Sequence, residues 1–167
     1  MFKKGIFFLI ICSLFSFQKN ISDDEKIKKE INQILDNWHA AAGRADFDAY
    51  FHLLSDESIY IGTDATENWT KKEFMAFAKP YFDRGKAWNF IALERHIYLS
   101  SDKKTVWFDE LLDTQMKLCR GSGILIREKG EWKIKHYVLS MTIPNENAKE
   151  VVTIKSPLEN KILESKN

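Results

Sequence analysis

The sequence predicts an α+β fold, a curved antiparallel sheet with helices packed on one face. Three observations predict it. Two capping boxes, Ser22 with Glu25 and Thr70 with Glu73, open amphipathic helical runs in the first half of the chain. Long runs of period-two apolar alternation occupy the second half, from residue 88 to residue 140. The turns between those runs are short, and strands joined that tightly pair antiparallel.

Asp23 and Asp24 follow Ser22 and place negative charge at the positive end of the first helix dipole. Ile27, Ile31, Ile34, Leu35 and Trp38 recur at helical spacing, the alanines at 40–42 suit close packing on a sheet, and Gly43 marks the stop. Asp46 caps a short second helix that turns Phe47, Tyr50, Phe51 and Leu54 inward. Residues 55–58 read as a turn, 59–61 as a short strand ending at Gly62, and 63–69 as a loop. On the third helix Phe74, Phe77, Ala78 and Tyr81 share one side; Pro80 lies near its end and Gly85 releases the chain.

Strands are expected over 88–100 and 105–114, with turns at 101–104 and around Met116, followed by a hairpin over 120–140. Two hairpin registers are open. A two-residue loop sets Leu125 opposite Ile134 but Ile124 opposite Lys135. A three-residue loop, with Gly130 in the left-handed position of a bulge, aligns Ile124 and Ile126 with Ile134 and Trp132. The second register keeps one face apolar and is the expected one. That face also carries Arg120, Ser122, His136, Val138 and Ser140, and reads as a pocket wall. The other face, with Leu125, Tyr137, Leu139 and Met141 rimmed by Arg127, Lys133 and Lys135, reads as a homodimer surface. Should those residues wall the pocket instead, the two faces exchange roles.

The ends of the chain carry their own signals. A basic start at Met1 to Lys4 and an apolar run over 6–15 read as a signal peptide, residues 1–20, too short for a membrane span of about 20 residues. The mature protein is therefore expected to be exported, periplasmic or secreted, with no stable membrane span. Ile11 stands where a lipoprotein signal wants a small residue, which argues against acylation of Cys12. Cys119 is then the sole cysteine, so no intramolecular disulfide can form. Residues 21–144 make the domain, and 145–167 a polar tail, read as a short helix and a loose end. A net charge of +1 argues against a nucleic-acid partner, which needs a concentrated basic face.

Asp109 and Glu110 are neighbours on one strand, so one points to each face. A buried carboxylate needs a charged or hydrogen-bonded partner. Arg120 is the expected one: a symmetric turn about Met116 puts Glu110 opposite Ser122, beside Arg120, and a one-residue change presents Asp109 instead. The blander reading is a solvated rim pair. His136 is a candidate acid/base or ligand-orienting group, weighed against a satisfied core histidine. His39, beside Trp38, can face the cavity, while His52 and His96 read as surface or edge residues. The histidines lack metal-ligand spacing, and neither a metal nor a cofactor is expected. Gly121 and Gly123 alternate within a strand; they are no phosphate loop and are expected to admit a neighbouring ring or bend the sheet.

From residue 25 to residue 144 the chain resembles the nuclear transport factor 2-like superfamily, in its SnoaL-like branch. The resemblance rests on the order of elements and on LDNWHAAAGRADFDAYFHLL, IGTDATENWTKKEFMAFAKPYFDRGKAW, WFDELLD, CRGSGILIREKGEWKIKHYVLS and the closing IPN. It implies a cone, in which a curved sheet wraps a long first helix around an open-ended pocket. Trp38, Tyr60, Asp64, Trp69, Trp88, Asp109, Glu110, Arg120 and His136 are implied to lie near it. Members include polyketide cyclases, a ketosteroid isomerase, dehydratases and non-enzymatic binding or assembly domains, and the catalytic pattern of the enzymes does not map onto this chain residue by residue.

Two functions follow as expectations. The first is a non-enzymatic small-molecule-binding domain with an aromatic-lined pocket, its ligand partly apolar with a polar or anionic group. Trp38, Tyr60, Asp64, Trp69, Trp88, Arg120 and Ser122 are its candidate contacts. The alternative is a cofactor-independent lyase, isomerase or cyclase with Asp109 or Glu110 and His136 as acid and base.

Overall fold

The computed structural model describes residues 22–166; the signal-peptide reading, with Cys12, lies outside the described residues. Helix α1 spans Asp23–Gly43, α2 Phe47–His52 and α3 Lys71–Asp83, and strands β1 and β2 span Leu54–Ile61 and Asn68–Thr70. Then follow β3 (Phe90–Leu99), β4 (Thr105–Thr114), β5 (Lys117–Glu128), β6 (Glu131–Met141) and α4 (Ala148–Lys166). The sheet order is β2-β1-β6-β5-β4-β3. All neighbours are antiparallel except β1 and β6, which run parallel with Tyr60 beside Tyr137.

The helix caps form as the sequence dictates. The Ser22 hydroxyl accepts the Glu25 N–H, and Thr70 and Glu73 bond reciprocally. Ile31, Leu35, Trp38 and Ala42 make the buried stripe of α1, and Phe74, Ala78 and Phe82 that of α3. Residues 55–58 are not a turn but the first half of β1, whose pairing with β6 slips between Leu54 and Ile59. The polar composition there has a structural cause: Ser55 donates to Glu128 at 2.6 Å.

The hairpin takes the register not expected. Its loop is the two residues Lys129 and Gly130, with φ of 51° and 92°, the mirror-type turn that suits twisted strands. Leu125 pairs with Ile134, and then Ile124 pairs with His136, so Lys135 is the extra residue of a bulge. A bulge reverses side-chain alternation beyond it. Trp132 and Ile134 consequently share the inner face with Tyr137 and Leu139, and all four are buried. Arg120, Ser122, Ile124, His136, Val138 and Ser140 lie on the outer face. Apart from Trp132 and Ile134, the residues expected to wall the pocket thus lie outside, and Leu125, Tyr137 and Leu139 of the expected dimer surface lie inside. Leu139 and Tyr137 belong to the core and cannot form a dimer surface.

The tail also differs. Instead of a short helix and a loose end, α4 is a helix of 19 residues, none of them buried, with Ile154 and Leu158 among the most exposed apolar side chains. No helix among the described residues is long and apolar enough to cross a membrane.

Candidate functional site

Two features occupy the space between helices and sheet. The first is a buried polar cluster centred on Glu110, whose side chain is fully sealed. Even-numbered residues of β4 face inward, which puts Glu110 between Phe108 and Leu112. Its Oε1 receives the Tyr137 hydroxyl at 3.1 Å and stands 2.9 Å from Nε2 of His39. Its Oε2 receives Nε of Arg95 at 2.9 Å; Nη2 is equally near without the alignment of a hydrogen bond. Arg95 continues through Nη1 to Asp36 at 2.8 Å and to the side chain of Asn32 at 3.1 Å. Burial pushes the Glu110 carboxyl up, but the bonds and charges of His39 and Arg95 outweigh it and hold it below its ordinary value. An ionised carboxylate only accepts, so Nε2 of His39 carries a proton.

Gly121 makes this cluster possible. It lies opposite Glu110, and a Cβ there would come within 2.3 Å of the Tyr137 hydroxyl. Gly123 likewise admits the Phe108 ring, 2.8 Å from where its Cβ would be, the close approach the alternating glycines predict.

The second feature is an open-ended cavity of about 200 Å³ at the end of the sheet where β1 leaves for β2. Tyr60 and Trp69 line it from β1 and β2, and Phe74, Phe77 and Tyr81 from α3. Trp88, Phe90 and Leu139 complete the lining with Gln115 and Met116 of the turn between β4 and β5. The rings support one another: Tyr60 and Phe74 stack at 3.9 Å between centroids, and Trp69 and Phe77 at 4.5 Å. Phe90 also packs edge-on against His39, so the polar cluster lies behind the cavity wall and contributes no lining residue.

Of the residues expected at a site, Tyr60, Trp69 and Trp88 come together in this cavity. The others do not. Trp38 is core, stacked on Tyr50 at 5.1 Å with the edge of Tyr137 against it. Asp64 is held in its own exposed loop by Thr66. Arg120 and Ser122 are on the outer face, where Arg120 pairs across the strands with Leu111 and Ser140, and Ser122 with Asp109. Asp109 is also outside, 3.0 Å from Nδ1 of His96. His136 stands between Ile59 and Ile124 on that face. Asp109, Glu110 and His136 therefore do not converge, and the expected pairing of Arg120 with a carboxylate gives way to Arg95 with Glu110. The two-residue β4–β5 turn sets Glu110 opposite Gly121, not Ser122.

No local pattern marked Arg95, Phe90 or Glu67 as site residues, and the turn expected around Met116 was not expected to line the cavity. Phe74, Phe77 and Tyr81 were visible as one side of α3, but helical spacing alone does not separate a core stripe from a cavity rim. Among the described residues, no three His, Cys, Asp or Glu side chains are grouped to hold a metal ion.

A curved sheet wrapped on one long helix, with an aromatic cavity at its open end, defines an α+β cone domain. The chain belongs to the SnoaL-like domain family, whose match covers residues 31–144, and its fold is that of nuclear transport factor 2-like structures. Solved structures share the fold. An NTF2-like protein of unknown function from Pseudomonas putida KT2440 is 14% identical, with a TM-score of 0.61 over 73% of this chain and 91% of that one. An NTF2-like protein from Cytophaga hutchinsonii is 18% identical, with a TM-score of 0.58 over 69% and 98%. The association domain of C. elegans CaMKII is 18% identical, with a TM-score of 0.59 over 72% and 100%. No functionally curated protein matches the chain.

Proposed function

We propose that this is an exported, non-enzymatic domain that binds a small molecule in the aromatic cavity. One observation carries the reading: the ring-walled cavity is open, while the buried carboxylate cluster is sealed behind it. A proton-transfer enzyme needs its acid or base within reach of the reacting atom. Glu110 spends both oxygens on Arg95, His39 and Tyr137 instead. Native mass spectrometry of protein purified without denaturant tests this. A bound small molecule is expected in the wild type and not in Gln115→Trp, which fills the cavity at its rim. A molecule retained equally by that variant places the site elsewhere.

The homodimer expected from the sequence is proposed on the outer face, where Tyr98, Trp107, Ile124 and His136 form one cross-strand row. Tyr98 and Trp107 stack at 5.8 Å and are both exposed. An apolar row in a charged surround is what two sheets bury against each other.

A further inference from the structure

The cavity lining has an uneven chemistry. Of its thirteen residues seven are aromatic, and the single charged one is the acid Glu67. The side chains expected to hold an anion, Arg120 and His136, are on the outside of the sheet. An aromatic ring presents negative π density at its face and attracts a cation within about 6 Å of its centroid. The rim already shows this preference, since the Arg84 guanidinium lies 4.9 Å over the Tyr81 ring without entering the lining.

Glu67 is held where it faces the cavity. Its backbone closes the loop against Gly62 and Asp64, and its Oε2 accepts the Asp64 N–H at 3.1 Å. Gly62 leaves the room: a Cβ there would sit 2.1 Å from Oε2. Among the described residues Oε1 takes no hydrogen bond, and Glu67 is half-buried in the cavity lining. Tyr60 remains a neutral phenol, because burial first and the Glu67 charge second raise its pKa. It adds an aromatic face and a hydroxyl, not a competing charge.

We propose that the cavity selects a small organic cation, an amine or quaternary ammonium group seated against the rings with Glu67 as its counter-ion. This rests on the binding reading above and names its ligand class. A volume of about 200 Å³ suits such a group with a short body. An anion of the same shape would meet the carboxylate and find no basic side chain in the lining.

Three molecules of one shape and different charge test it: choline, 3,3-dimethylbutan-1-ol and 3,3-dimethylbutanoate, titrated into wild-type protein by calorimetry. Choline is expected to bind at least about tenfold more tightly than the alcohol, and the carboxylate least of all. Glu67→Gln should erase most of the gap while leaving the affinity for the alcohol. Phe77→Leu, at a half-exposed rim position, should weaken choline more than the alcohol. Equal binding of the three, or preference for the carboxylate, overturns the cation assignment and leaves the pocket reading standing. Failure of all three to bind also overturns it, and the co-purifying molecule then judges the pocket reading separately.

Discussion

Glu110 on β4 and His39 on α1 stand 71 residues apart in sequence and 2.9 Å apart in the core, with Arg95 of β3 on the other carboxylate oxygen. Together they lock the helix to the sheet at one register. Apolar packing is non-directional and would allow α1 to slide, whereas a buried charge cluster is satisfied in one arrangement only.

Glu110→Gln keeps the shape and removes the charge, leaving the Arg95 side chain, 5% exposed, with Asp36 as its one carboxylate partner. Removing one member of a buried pair costs about 3–5 kcal/mol. The urea midpoint should fall clearly, and adding Arg95→Met should recover part of the loss. A midpoint that stays in place would show these charges to be solvated.

The same cluster sets an acid limit. The Glu110 carboxyl is held below its ordinary 4.5 in the folded state. Its contribution is therefore present above about pH 4.5 and lost as pH falls through the folded value. Circular dichroism during acid titration should show wild-type stability declining below that point. Glu110→Gln, less stable throughout, should lack that part of the slope.

On the outer face the charges act on each other and little on the fold. A hydrogen bond with Asp109 is the main cause of the raised His96 pKa, and Arg120 opposes it. Asp109→Asn should lower the His96 titration seen by NMR, and Arg120→Met should raise it slightly. Arg120→Met should change stability by no more than about 0.5 kcal/mol. A large loss of stability would mean that Arg120 has a buried partner after all.

Gly121→Ala tests the close approach of Tyr137 and Glu110. The added methyl meets the Tyr137 hydroxyl at 2.3 Å and Glu110 at 2.9 Å. Overpacking of this kind costs about 1–3 kcal/mol. Adding Tyr137→Phe should relieve part of it, and strict additivity of the two losses would argue against the contact.

The two sheet faces can be told apart by one charge on each. Trp107→Lys should leave the fold intact and yield monomers by light scattering. Leu139→Lys places a charge in the core and should unfold the domain. A Trp107→Lys dimer as stable as the wild type would rule out the outer face as the interface.

Most elements were legible in the chain itself; the first half of β1, the short β2 and the length of α4 were not. Helix caps, the 3.6-residue stripes of α1 and α3 and the period-two strands are local signals, and the structure realises them, down to the reciprocal bonds of Thr70 and Glu73. The sequence also required a charged partner for a carboxylate between apolar neighbours. Which face the hairpin turns inward was decided only in the tertiary structure. One bulge residue, Lys135, reverses the alternation of half a strand, and a bulge forms where sheet curvature and core filling demand it. The identity of the Glu110 partner was decided there too. Arg95 lies on the strand to one side of β4 and Arg120 on the other, and the register of each pairing depends on a turn and a bulge that change a face by slipping one residue. Alternation fixes what a side chain needs, but only the assembled sheet fixes what it meets.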